Sequence, residues 1–130
     1  MENNEALIKR EQPYSEMAEQ SVIGSMLMDR DVIGDVADVL VKEDFLNNRC
    51  AVLYENMVEL ANEGTVVDLV TLSNKLKSKN IPDIVNDLNY MREIILNVPT
   101  SANAKQYAKI VKDKSTLRRF IKLTEELSNA

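Results

Sequence analysis

"SANAKQYAKIVKDKSTLRRFIKLTEELSNA", residues 101–130, reads as one long helix whose apolar face does not stay in one place. At about 100° per residue, Ala104, Tyr107, Ala108 and Val111 cluster on one side. Continued past "KDKST", that side becomes Ser115, Arg118 and Lys122, which are polar. Ile110, Leu117, Phe120, Ile121, Thr124 and Leu127 gather on roughly the opposite side. One straight helix cannot bury both stripes against the same body. The first half is expected to pack on a head and the second to project, because an exposed apolar stripe of this size usually marks a partner surface.

The chain before this helix reads as the head. "PYSEMAEQSVIGSML" (Pro13–Leu27) opens a helix expected over Ser15–Met28, with Ser15 as N-cap and Glu16 and Glu19 facing the positive end of its dipole. Gly24 sits in its middle, where glycine costs about 1 kcal/mol against alanine. The compensating gain is expected in packing: without a Cβ, Gly24 lets another helix come close. Val32–Val41 is expected as a two-faced helix with Ile33, Val36, Ala37 and Leu40 inward, then "KEDFLNN" as a connector anchored by Phe45. A third helix over Arg49–Asn62 would bury Leu53, Met57, Leu60 and Ala61 and stop at Gly64. "TVVDLV" is β-branched but lacks a partner run, so it reads as extended chain leading into a helix over Leu69–Lys79, capped by Asp68 or Thr71. Leu72 joins Leu69 on its inner face. After a loop at "NIPDIVND", "LNYMREIILN" turns Leu88, Met91, Ile94 and Ile95 inward. Val22, Ile23 and Leu27 complete the expected head packing, with Met17, Met26, Met28, Met57 and Met91 as core.

Composition supports this all-α reading: a compact bundle of about five short helices, then a long C-terminal helix that begins a hairpin. The 130 residues hold only three Gly and three Pro, little material for hairpin turns. They suffice for one domain with a real core. The expected division is a flexible segment over 1–12, the head over 13–111 and a projecting arm over 112–130. No apolar run reaches the roughly 18 residues of a membrane span, and "MENNEALIKREQ" lacks the core of a signal peptide. A cytoplasmic location is expected, in keeping with a single cysteine, Cys50. Residues 1–100 carry nine basic and 18 acidic residues, and residues 101–130 seven and three. Such an acidic body is a poor general ligand for nucleic acid.

Chemistry is hard to place. The chain has no histidine, which removes Ser-His-Asp and Cys-His catalysis and most zinc sites. It has no glycine-rich phosphate loop. Asp31, Asp35 and Asp38 share a helix face and are better read as solvated charge than as a magnesium site. Cys50 reads as a small buried hydrophobe. Lys105, Lys109, Lys112, Lys114, Arg118, Arg119 and Lys122 spread around the last helix and read as solubilising charge. No catalytic, cofactor-binding or metal-ligating residue is assigned, and no enzyme activity is expected of this chain.

The order of motifs adds a resemblance. "AEQSVIGSML" (Ala18–Leu27), "DF" (Asp44, Phe45), "LYENMVELANEGTVVDLVTLSNKL" (Leu53–Leu76), Tyr90 and "VPTSANAKQYAKIV" (Val98–Val111) resemble, in order and spacing, the N-terminal domain of DnaB-type replicative DNA helicases. Two positions depart from that pattern: Cys50 stands where a histidine is frequent, and Asn86-Asp87 where a Gly-Gly pair is frequent.

The resemblance implies a helical head followed by a helical hairpin, with hairpins of neighbouring subunits forming a collar in a homo-hexamer. It implies docking of primase, and in some systems of a helicase loader, with DNA contacted only weakly or indirectly. ATP, magnesium and strand separation would belong to a C-terminal ATPase domain, and "EELSNA" would lie near the tip of the hairpin's first helix. On that reading Ile110, Leu117, Phe120, Ile121, Thr124 and Leu127 face the second hairpin helix or a neighbouring subunit. Two rivals stand beside it. One is the helicase-binding domain of a bacterial primase, disfavoured by a start at Met1. The other is a free-standing helical regulator that binds nucleic acid through Lys105–Lys122.

Overall fold

The computed structural model describes residues 12–129, and the segment expected to be flexible lies outside them except for Gln12. The described residues form six α-helices and no strand. α1 spans Glu16–Met28, α2 Ile33–Ala37, α3 Asn48–Asn62, α4 Leu69–Ser78, α5 Leu88–Asn97 and α6 Ala104–Ser128. Short 3₁₀ turns at Arg30–Val32, Lys42–Asp44 and Ser101–Asn103 join them.

α1 is the central element. It packs against α3, α5 and α6, and from Ala18 to Met26 only Gln20 and Ser21 escape full burial. A helix apolar on most sides belongs inside a bundle, and that is the case here. Ser15 caps it, its Oγ accepting the Ala18 N–H at 3.1 Å. α5 crosses α1 at Gly24, where a Cβ would stand 2.6 Å from Val98 Cγ2 and 3.0 Å from the Ile94 carbonyl oxygen. The crossing leaves no room for even a methyl group.

The second helix is shorter than its periodicity predicts. A 3₁₀ turn precedes α2, which stops at Ala37 rather than Val41. The backbone groups that would continue it are taken elsewhere: Tyr54 Oη donates to the Leu40 carbonyl at 2.7 Å, and the Val41 N–H donates to Asp44 Oδ2 at 2.8 Å. Ile33, Val36 and Leu40 are buried, but Ala37 is exposed.

α3 starts with Asn47, whose side chain accepts the Cys50 N–H at 3.1 Å. It ends at Gly64, which takes φ 75° while the Thr65 N–H returns to the Leu60 carbonyl at 3.0 Å, a left-handed stop suited to glycine. Leu53, Met57 and Leu60 are buried, whereas Ala61 is exposed. Asp68 and Thr71 both cap α4, each side chain accepting the other's backbone N–H. Asp87 caps α5 by accepting from Asn89 and Tyr90, and Asn86 Nδ2 donates to the Ser73 carbonyl at 3.3 Å. Asn86 and Asp87 thus tie the loop to α4 and to the start of α5.

The core contains Val22, Ile23, Met26, Phe45, Leu53, Met57, Leu72, Met91, Ile94 and Val111, with Leu27, Leu69, Leu88 and Tyr107 packed half-buried at its edge. Cys50 is fully buried there, and burial pushes its thiol up to about 12, so it is no nucleophile. Two of the five methionines read as core are not: Met17 and Met28 are exposed. Ile95 is only half-buried.

A candidate partner interface on the last helix

α6 runs for 25 residues, about 37 Å at 1.5 Å per residue. Its first half lies on α1 through Ala104, Ala108 and Val111, all buried. Small side chains at that spacing let the two helices approach closely. The docked face then continues in polar residues, which are held by the head. Ser115 is buried and donates to Asp44 Oδ1 at 2.7 Å. Arg118 extends over the connector and donates to two carbonyls, Asp44 and Pro13, both at 2.8 Å.

Asp44 is the centre of this clamp. Its side chain is 1% exposed and takes hydrogen bonds from the Val41 N–H, Ser115 and Lys112, with Arg119 Nη2 at 3.5 Å. Burial alone would raise its carboxyl. The donors from Val41, Ser115 and Lys112 outweigh that cost and hold it below the ordinary aspartate range. Glu19 of α1 supports the other end of the connector, accepting the Leu46 and Asn47 N–H groups, both at 2.9 Å. Its burial prevails over those two bonds, so its carboxyl titrates above the ordinary glutamate range.

These contacts correct two readings of charge. Glu19 is a buried strut for the connector rather than a dipole-complementing surface acid. Lys112, Arg118 and Arg119 are structural partners of Asp44 and its neighbours rather than solubilising charge. The signal for Glu19 was present: it shares a helical face with Val22, Ile23 and Met26. For Asp44 the signal was weaker, since only the four residues reaching it from α6 reveal its burial.

Past Arg118 the last tie to the head is Arg119, whose guanidinium reaches Asp44 at 3.5 Å, and residues 119–129 are exposed throughout. Leu117, Phe120 and Leu127 are 48%, 63% and 68% exposed. Ile110 and Ile121 are less exposed, at 41% and 37%, and Thr124 returns its hydroxyl to the Ile121 carbonyl at 2.7 Å. Leu123, absent from the sequence-derived set, is exposed as well, one helical turn from Leu127 and beside Phe120 on the wheel. The stripe is therefore broader than its periodicity indicated. It offers apolar contact only: among the described residues no three His, Cys, Asp or Glu side chains come together as a metal site.

Comparison with known proteins identifies the family of the fold. The profile of the DnaB-like helicase N terminal domain matches residues 11–113. The replicative DNA helicase DnaC of Bacillus subtilis is 36% identical over 110 residues, 85% of this chain and 24% of the relative. The crystal structure of the N-terminal domain of DnaB helicase from Mycobacterium tuberculosis superposes with a TM-score of 0.87 at 33% identity, covering 92% of this chain and 86% of that one. The N-terminal domain of DnaB helicase from Helicobacter pylori, described together with its interactions with primase, shares the fold with a TM-score of 0.74 at 19% identity, over 87% and 88% of the two chains. The chain spans about a quarter of the length of the curated relatives it matches.

Proposed function

This chain belongs to the DnaB-like helicase N-terminal domain family, and from that premise we propose that it is a non-catalytic assembly and docking domain of a hexameric replicative helicase. The exposed apolar stripe of distal α6, Leu117, Phe120, Ile121, Leu123 and Leu127, carries the reading. Its own head turns away from that stripe, so a hairpin partner or a neighbouring subunit is needed to cover it. Primase, and in some systems a loader, docks on the resulting collar in the cytoplasm. ATP, magnesium and strand separation belong to the rest of such a protein. Direct DNA binding is disfavoured because Lys112, Arg118 and Arg119 are already engaged with the connector.

Sedimentation velocity at rising concentration tests the contact. Self-association is expected, and Leu117→Glu combined with Ile121→Glu is expected to abolish it. An unchanged oligomer in the double variant overturns the stripe as the assembly surface, whereas a monomer in both assigns its covering to a second hairpin helix rather than to a neighbouring subunit.

A further inference from the structure

A second surface lies where α4 and α5 pack together, lined by residues of those two helices alone. Between them is a cleft of about 290 Å³. Leu69, Val70 and Leu88 line it with apolar side chains, and Val70 is 77% exposed. Lys77 and Arg92 stand at its rim, and no carboxylate lines it.

The charge here runs against the rest of the head. The neighbouring lysines of α4 are neutralised in place: Lys75 lies 2.8 Å from Glu63, and Lys79 is hydrogen-bonded to Glu59. Among the described residues neither Lys77 nor Arg92 has a carboxylate within the 4.0 Å of an ion pair. Arg30 and Arg49 elsewhere on the head also lack an ion pair among the described residues; what sets Lys77 and Arg92 apart is that both line one open apolar cleft with no carboxylate in its lining. The cleft is also preformed. Asn86 holds the Ser73 carbonyl from the α4–α5 loop, and Asp87 caps α5 at its edge.

We propose that the α4–α5 cleft docks a short acidic amphipathic segment of another protein. Its apolar side chains would lie on Leu69, Val70 and Leu88, and flanking Asp or Glu residues would pair with Lys77 and Arg92. The cleft lies at the lower end of the range of small-molecule pockets, about 300–1,000 Å³, and is open along one side rather than enclosing. An amphipathic helix needs only an apolar trough with complementary charge at its edges. This surface is independent of the α6 stripe.

The test uses a fluorescein-labelled helical peptide with leucine at i, i+3, i+4 and i+7 and glutamate elsewhere, alongside the same peptide with lysine for glutamate. The glutamate peptide is expected to bind, with amide shifts confined to residues 69–77 and 88–92. Lys77→Glu with Arg92→Glu is expected to weaken it about tenfold or more and to admit the lysine peptide. Val70→Asp should abolish both. All three side chains sit at the surface, so thermal melts should match the wild type and separate lost binding from lost fold. Absent binding, shifts centred on residues 117–127, or affinity indifferent to the charge reversal overturns the proposal.

Discussion

Ala104–Ser115 and Thr116–Ser128 are successive stretches of one helix, and they differ in what their side chains are for. The first stretch meets α1 through small residues, Ala104, Ala108 and Val111, and closes with Ser115 in a buried hydrogen bond. Among the described residues, the second touches the head only through the polar grip of Arg118 and Arg119, while its bulky side chains, Leu117, Phe120, Ile121, Leu123 and Leu127, face solvent. Small side chains suit a close, finished contact; large ones left in water suit a contact still to be made. The boundary is polar rather than apolar, set by Asp44 and by Arg118 clasping two carbonyls.

The strongest way to break the contrast is to remove the clamp. Asp44→Ala leaves the Val41 N–H and the Ser115 hydroxyl without their buried acceptor and should cost about 3 kcal/mol in urea unfolding. A loss below about 0.5 kcal/mol, the range of ordinary surface changes, would mean that the apolar half of the contact suffices. Gly24→Leu acts within the head instead, forcing side-chain atoms into Val98 and Ile94. It should cost about 1–3 kcal/mol without altering self-association, and an unchanged melting temperature would show that α5 yields freely.

Acid sharpens the comparison further. The Asp44 carboxyl titrates lower folded than unfolded, so its contribution is complete above the unfolded aspartate value near about 3.9. That contribution is lost as pH falls through the lower, folded value. Glu19 has the opposite sign: its raised value favours folding below the unfolded glutamate range, and this is lost as pH rises through the folded one. The stability gap between wild type and Asp44→Asn should therefore narrow toward acid, and parallel acid-unfolding curves would contradict that assignment. The smallest effect is reserved for the distal half. Leu117→Glu with Ile121→Glu should change unfolding by less than about 0.5 kcal/mol while removing self-association; a large loss of stability would show that the stripe supports its own head.

Much of this was legible in the residues. Helical spacing located the helices, and short polar side chains at Ser15 and Asp68 marked the starts of two of them, because capping is a local matter of side chain and backbone. The shift of the apolar face along α6 was likewise visible, since it depends only on helical pitch. What escaped were features made by distant partners. Nothing in the connector marks Asp44 as buried until α6 brings Ser115 and Lys112 to it. α2 reads as a longer helix until Tyr54 takes the Leu40 carbonyl. Ala37 and Ala61 followed the apolar period yet lie in water, because a methyl group gains too little from burial to decide which way a turn faces.

The grip on Arg118 has a mechanical consequence. It works as a fulcrum: the ten residues beyond it make a rigid lever about 15 Å long. A change of a few degrees in how that guanidinium seats on the Pro13 and Asp44 carbonyls would sweep the far tip sideways by an ångström or more. Whatever loosens or tightens that seat steers the end of the rod.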